Sequence, residues 1–313
     1  MTDEMKVFGG HSNPQLTKDI CDYLEIPEGR VHLGRFPDGE IEVKINEDVR
    51  GAHVFIVQST CAPVNEHLME LLIFIDSAKR ASAARVTAVM PYYGYARQDR
   101  KDEGRTPITA KLVANLLEKA GADRVVSIDM HATQIQGFFD VPVDHLFAFP
   151  IFLKYYRQLN LKKLVVASSD VGRIKMARAY ANKLNIELVI IDKRRVNSSQ
   201  AEAVNLIGDV EGKDVLIVDD MIATAGTIIE AAKVVCNKGA DDVYLGATHP
   251  IFCGQSIERI DSANVKEVIV TDTIPIGDKK SKTSIRVLSV APLLGEAIRR
   301  IHQNRSVSSL FEQ

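Results

Sequence analysis

Two adjacent carboxylates, Asp219 and Asp220, close the apolar run Val215-Leu216-Ile217-Val218 and are followed by Met221-Ile222-Ala223-Thr224-Ala225-Gly226-Thr227. This order predicts a buried strand ending in an acid pair, then a turn of small and hydroxyl residues into a helix beginning near Thr227. Backbone N–H groups at a helix N-terminus, helped by hydroxyls, hold phosphate, while a pair of carboxylates accepts hydrogen bonds from sugar hydroxyls. A sugar phosphate suits both halves of the segment. The plainer reading is an acid-ended strand followed by an ordinary helix.

In parallel α/β sheets, ligands gather beyond the carboxyl ends of the strands. Three further strand ends deliver polar groups there: Asp129-Met130-His131, Ser168-Ser169-Asp170 and Asp192-Lys193-Arg194-Arg195. His131 and Asp170 are candidates to share a divalent ion. Mg2+ takes few protein ligands and keeps several waters when it works on substrate phosphates. A hydrogen-bonded structural histidine is the other reading of His131. Lys193, Arg194 and Arg195 form a positive cluster suited to neutralising a phosphoryl group in transfer, or a solvated basic turn. The polar stretch 194–203 that it opens is a candidate mobile lid.

The first half of the chain offers groups for a nucleotide. Arg35-Phe36-Pro37-Asp38-Gly39-Glu40 brings a ring to stack on a base and acids to receive an exocyclic amine, and Tyr95-Ala96-Arg97-Gln98-Asp99-Arg100 brings cations for phosphates. Nucleotide signatures of other folds are missing. Gly208 to Lys213 is too short for a P-loop, Asp214 stands where Ser or Thr belongs, and no G-x-G-x-x-G opens a helix.

The elements that must position these groups alternate from end to end. Strand-length apolar runs lie at 6–9, 53–58, 85–90, 124–129, 164–168, 188–191, 215–218, 243–247, 268–270 and 286–290. Helical periodicity marks 15–24, 65–82 and 109–120, and helices are expected at 172–184, 227–238 and 293–303. Continuous apolar strands alternating with helices predict α/β architecture, with largely parallel sheets covered on both faces. The rhythm runs twice, which predicts two similar domains, 1–145 and 146–313, joined around Pro142 and Pro150, with the last helix placed to pack back on the first.

With 313 residues, 46% hydrophobic and 26% charged, the chain fits a soluble globular protein of two domains. A net charge of −2 gives no electrostatic grip on nucleic acid or anionic membrane. No apolar run approaches the roughly 20 residues of a membrane span, and the N-terminus lacks a signal-peptide core. Cys21, Cys61, Cys236 and Cys253 are scattered, as free thiols in a reducing compartment would be. The expected address is cytoplasmic.

The Asp219–Thr227 segment resembles the ribose-5-phosphate loop of the phosphoribosyltransferase-like (type I) fold. The chain as a whole resembles the ribose-phosphate pyrophosphokinase, or phosphoribosyl pyrophosphate synthetase, family. The likeness is carried by Phe8-Gly9-Gly10, Arg35 to Glu40, Gln58-Ser59-Thr60, Pro91 to Asp99, Asp129 to Ala132, Gln134 to Phe139, Asp192 to Arg195, Val218 to Met221, Ala247-Thr248-His249-Pro250 and Thr271 to Pro275. It implies a Mg2+-dependent enzyme of nucleotide biosynthesis that moves the β,γ-pyrophosphoryl group of ATP to the 1-hydroxyl of ribose 5-phosphate, releasing AMP. It further implies that Phe36, Asp38, Gly39, Glu40, Arg97 and Gln98 bind ATP, that His131 and Asp170 hold the metal, and that Lys193 and Arg195 act on a catalytic loop. Asp219, Asp220, Ala223, Thr224, Ala225, Gly226 and Thr227 would hold ribose 5-phosphate, with Arg195 reaching the same substrate. A homo-oligomer, commonly a hexamer with the ATP pocket completed by a neighbour, activation by phosphate and inhibition by ADP are also implied.

Three loops depart from the family pattern. Ala223 stands where a third acid is usual. In Ser168-Ser169-Asp170-Val171-Gly172-Arg173, Ser169 and Arg173 replace Pro and the second Gly. Val196-Asn197-Ser198-Ser199 replaces a Pro-Arg or Pro-Lys continuation. Such a chain is either an active synthetase with shifted kinetics or a catalytically weakened regulatory member or variant. A phosphoribosyltransferase would share the acid-pair loop but has no use for the Arg35–Glu40 and Tyr95–Asp99 segments.

Overall fold

The computed structural model describes residues 4–159, 161, 163–194, 203–277 and 281–310, with the backbone alone at 171, 192–194, 203 and 204. The chain divides into two compact units. The first takes the residues up to 148, then 273–275 and the segment from 289 on; the second takes 149–272 and 276–288.

In the first unit the chain runs β1 (Met5–Gly9), α1 (Pro14–Leu24), β2 (Val31–Arg35), β3 (Ile41–Ile45), β4 (His53–Val57), α2 (Val64–Arg80), β5 (Arg85–Met90), α3 (Thr109–Ala120), β6 (Arg124–Ile128) and β7 (Val143–Leu146). Five strands form a wholly parallel sheet in the order β1-β4-β5-β6-β7. Alternate side chains serve opposite faces. Val54, Ile56, Val86 and Ala88 share one core with Leu71, Phe74 and Ile75 of α2 and with Val113 and Leu117 of α3. The α2 residues recur at helical spacing, which is why this stretch is a helix with a buried stripe. Each such side chain taken fully from water contributes roughly 1.5–3 kcal/mol. β2 and β3 form a separate antiparallel hairpin, which the sequence periodicity did not reveal.

The second unit continues with α4 (Phe149–Leu159), β8 (Leu164–Ser168), α5 (Ile174–Leu184), β9 (Leu188–Arg194), β10 (Ala203–Ile207), β11 (Asp214–Ile222), α6 (Gly226–Asn237), β12 (Val243–Pro250), α7 (Ser256–Asp261), β13 (Glu267–Thr271) and β14 (Ser284–Leu288). Its seven strands lie in the order β10-β9-β8-β11-β12-β13-β14, parallel except for β10 at one edge. Val165, Ile191, Val215, Ile217, Leu245 and Val268 are buried with Ile228, Ile229, Ala232 and Val235 of α6. Each unit is thus a largely parallel sheet flanked by helices. Pro150 does not simply break the chain: it sits in the first turn of α4, where its missing N–H costs nothing.

The last helix, α8 (Ala291–His302), belongs to the first unit and packs on α1. Leu294, Ala297 and Ile298 are fully buried, and Arg299 lies over the Tyr23 ring at 5.0 Å. Gly295 permits this approach, because a Cβ there would stand 2.3 Å from the Tyr23 ring.

Candidate active site

The order of the second sheet creates a crevice. From β8 the chain steps outward to β9 and β10 on one side, then returns to start β11 on the other. At such a switch point the loops leaving the two central strands part in opposite directions, and ligands bind between them. The parallel register pairs Val218 of β11 with Ser168 of β8, so Ser169 and Asp219 follow side by side.

The strand does not stop at the acid pair, as the sequence suggested; it runs on past it to Ile222. β11 continues to Ile222 because β12 is equally extended, pairing Asp219 with Ala247, Met221 with His249 and Ile222 with Pro250. A ladder of backbone hydrogen bonds outweighs the low strand preference of two aspartates. The side chain of Asp219 is 11% exposed and that of Asp220 3%.

Arg173 answers both charges. It ends the short 3-10 turn Val171–Arg173 that leads into α5, and its Nε lies 2.9 Å from Asp219 Oδ1 and its Nη2 2.7 Å from Asp220 Oδ1. The Ser169 hydroxyl donates to Asp219 Oδ2 at 2.9 Å, and the Asp220 N–H donates to Asp219 Oδ1 at 2.8 Å. Burial pushes the Asp219 carboxyl well above the usual range, the hydrogen bond and charge of Asp220 add to this, and Arg173 and Ser169 oppose it. Asp170, half-buried beside them, accepts the Arg173 N–H at 3.1 Å.

Beyond β11 the chain turns through Ala223, Thr224 and Ala225 into α6, which begins at Gly226, one residue before the expected start. Ala225 makes the turn with a left-handed φ of 62°, and Arg259 of α7 donates to the Thr224 carbonyl at 2.9 Å. Thr224 and Thr227 are exposed at the helix entrance. The backbone of Lys193 is in β9, opposite Val204 of β10. Arg195, Val196 and the expected lid lie outside the described residues, apart from Arg194 and Ala203 at its two ends.

In the first unit, Phe36 to Glu40 form the tip of the β2–β3 hairpin, closed by Phe36 N–H to Glu40 carbonyl at 2.8 Å and Gly39 N–H to Phe36 carbonyl at 2.8 Å. Gly39 takes a φ of 95° at no steric cost. Phe36 is 47% exposed, and Asp38 and Glu40 are exposed with it. Arg97 and Gln98 are exposed on the loop after β5. Both segments are tied to the start of α2: Arg35 pairs with Glu66, and the Tyr95 hydroxyl bonds Asn65. The structure therefore brings the two sequence-selected segments to one helix end.

His131 is half-buried just past β6, where Asp129 adopts a positive φ of 39° and its Oδ2 accepts the Ala148 N–H at 3.1 Å. It belongs to the first unit and Asp170 to the second. Among the described residues no group of three or more His, Cys, Asp or Glu side chains gathers as a ready-made metal cage.

Sequence reasoning missed a buried polar network in the first unit. Gln58, 1% exposed, accepts the Ser12 N–H at 3.1 Å and donates to Glu70 at 2.7 Å, and Glu70 in turn receives the His11 N–H at 2.8 Å. The signal available was a glutamine directly after the apolar strand 53–57, where an unpaired amide would be costly. The pairing of Arg173 with Asp219 and Asp220 was also missed.

Comparison with known proteins agrees with this architecture. Residues 5–121 match the N-terminal domain of ribose phosphate pyrophosphokinase and residues 195–312 the phosphoribosyl synthetase-associated domain. The chain is 54% identical over 311 residues to the ribose-phosphate pyrophosphokinase of Caldanaerobacter subterraneus subsp. tengcongensis, covering 99% of this chain and 98% of that one. It is 52% identical over 308 residues to that of Oceanobacillus iheyensis, covering 98% and 97%. The crystal structure of phosphoribosylpyrophosphate synthetase from Mycobacterium smegmatis superposes with a TM-score of 0.91 at 42% identity, over 96% of this chain and 99% of that one. With near-complete coverage at this identity, the chain belongs to the ribose-phosphate pyrophosphokinase family.

Proposed function

We propose that the protein transfers the β,γ-pyrophosphoryl group of Mg-ATP to the 1-hydroxyl of ribose 5-phosphate, giving phosphoribosyl pyrophosphate and AMP for nucleotide biosynthesis. The observation that carries this reading is the acid pair at the β8–β11 switch point, followed at once by the threonine-bearing entrance of α6. Asp219 and Asp220 offer acceptors for ribose hydroxyls. Thr224, Ala225, Gly226 and Thr227 offer hydroxyls and backbone N–H groups for the 5-phosphate.

ATP is assigned to the first unit. Phe36 stacks on the base, Asp38 and Glu40 receive polar groups of the nucleotide beside the Gly39 turn, and Arg97 and Gln98 meet phosphate oxygens. The ribose oxygen attacks Pβ in line, the bond from Pβ to the α,β-bridging oxygen breaks, AMP departs with that oxygen, and the hydroxyl proton passes to solvent. Lys193 and Arg195 follow the charge that grows on the phosphoryl oxygens. The protein mainly positions two polyanions, since phosphoryl transfer asks little covalent chemistry of it.

The donor chemistry of Asp170, a half-buried carboxylate at a strand end, suits Mg2+, and His131 supplies a second candidate ligand. When bound, the ion neutralises phosphate charge and orients the transferring group. A cytoplasmic homo-oligomer, most simply a hexamer, with phosphate activation and ADP inhibition, completes the proposal. Among the described residues no helix is long and apolar enough to cross a membrane.

The test is chromatographic. Incubated with Mg-ATP, ribose 5-phosphate and inorganic phosphate, the protein should form AMP and phosphoribosyl pyrophosphate in equal amounts, and no AMP without ribose 5-phosphate. AMP formation that ignores ribose 5-phosphate would overturn the reading. Pyrophosphate release from phosphoribosyl pyrophosphate and a free base would move the chain to the transferases.

A further inference from the structure

Both substituted residues of one departing loop, Ser169 and Arg173, converge on the acid pair. Asp219 Oδ1 forms an ion pair with Arg173 Nε at 2.9 Å and receives the Asp220 N–H at 2.8 Å, while Oδ2 receives the Ser169 hydroxyl at 2.9 Å. A carboxylate offers about four acceptor positions, so roughly two on Asp219 are filled by hydrogen bonds from within the chain, and the guanidinium stands against the carboxylate as an ion pair. Asp220 Oδ1 faces Arg173 Nη2 at 2.7 Å, and its side chain is 3% exposed. The guanidinium spans both carboxylates with 20% of its side chain exposed, so water screens these contacts only weakly. A glycine at this position would leave the same space to a ligand.

We propose that Arg173 is a built-in occupant of the sugar-hydroxyl subsite. Ribose 5-phosphate gains Asp219 and Asp220 only when the guanidinium swings off them, so its apparent affinity is lower than the loop's own. This rests on the assignment of the Asp219–Thr227 loop to ribose 5-phosphate. A site competent in a fraction f of molecules binds with an apparent Kd raised by 1/f. If Arg173 is displaced in about one molecule in ten, removing it tightens binding roughly tenfold. Arg173 is thus a specificity and positioning residue: it sets what a ligand must displace, and it acts on ribose 5-phosphate and not on ATP.

The experiment is calorimetric titration of ribose 5-phosphate into the full chain and into Arg173→Ala and Arg173→Gln, with circular dichroism to verify folding. The Gln variant keeps a polar side chain without the charge, and it carries the comparison if the Ala variant fails to fold beside two uncompensated acids. The expected result is a Kd for ribose 5-phosphate about tenfold lower in the variants, a matching fall in its KM, and an unchanged KM for ATP. Wild-type binding that the variants leave unchanged or weaken overturns the inference alone, because Arg173 then merely holds the acids in place. Binding of ATP with no binding of ribose 5-phosphate to any of the chains removes the loop assignment, and the inference with it.

Discussion

Ala223 brings no side-chain oxygen to a turn in which the family usually carries a third acid. The methyl group is half-exposed, and its carbonyl accepts the Cys253 N–H at 3.0 Å, so the backbone is already fixed. Ala223→Asp would therefore add an acceptor without burying a charge. The expected outcome is a threefold to tenfold gain, roughly one hydrogen bond's worth, in kcat/KM for ribose 5-phosphate. Steady-state kinetics that match wild type would remove position 223 from ribose recognition. At this scale the sequence is informative about types and silent about partners. Asp219 and Asp220 stand out as adjacent acids closing an apolar run. Arg173, by contrast, is only an odd residue after Gly172 until the parallel pairing of β8 with β11 sets it over both carboxylates.

The β2–β3 hairpin is the element that presents Phe36. Its ring is half-exposed, which a core role does not explain. Phe36→Ala should raise the KM for ATP about tenfold, in keeping with a base-stacking contribution of roughly 1–3 kcal/mol, and leave the Kd for ribose 5-phosphate unchanged. An equal rise for both substrates would mean that the hairpin, not the ring, had been damaged. The hairpin was illegible in sequence because most of its residues are only partly buried, as the β2 pattern of Val31–Arg35 shows. Strands of the two parallel sheets are legible for the opposite reason: burial on both faces leaves continuous apolar runs such as 54–57 and 215–218. Their ends are less so, since β11 is carried past two aspartates by a neighbouring strand of similar length. β10 escaped notice because it is a short edge strand following a polar stretch.

For the molecule as a whole, His53 couples stability to pH. It is buried in the first unit, with Nε2 2.9 Å from Thr87 Oγ1 and its ring stacked on Phe55 at 4.0 Å. Burial, then the nearby charges of Arg85, His302 and Arg124, lower its pKa to about 3. The folded unit holds the ring neutral, whereas the unfolded chain protonates it near pH 6.5. Stability from this group is therefore complete above about pH 6.5 and is lost as the pH falls towards about 3, by at most about 4–5 kcal/mol. Denaturant midpoints measured at pH 7.5 and 4.5 should fall less in His53→Gln than in wild type, and parallel losses would exclude the histidine as the cause. Both α/β units are legible from the doubled rhythm of strands and helices, but the segment 273–275 and α8 belong structurally to a unit they follow by more than a hundred residues. This places a demand on synthesis. The ribosome must finish every strand of the second sheet before it supplies the helix that packs on α1, so the half of the protein made first is the half completed last. Until then Tyr23 of α1 lacks Gly295 and Arg299 of α8 as neighbours, and a nascent chain stalled before residue 291 should expose apolar surface to chaperones and proteases.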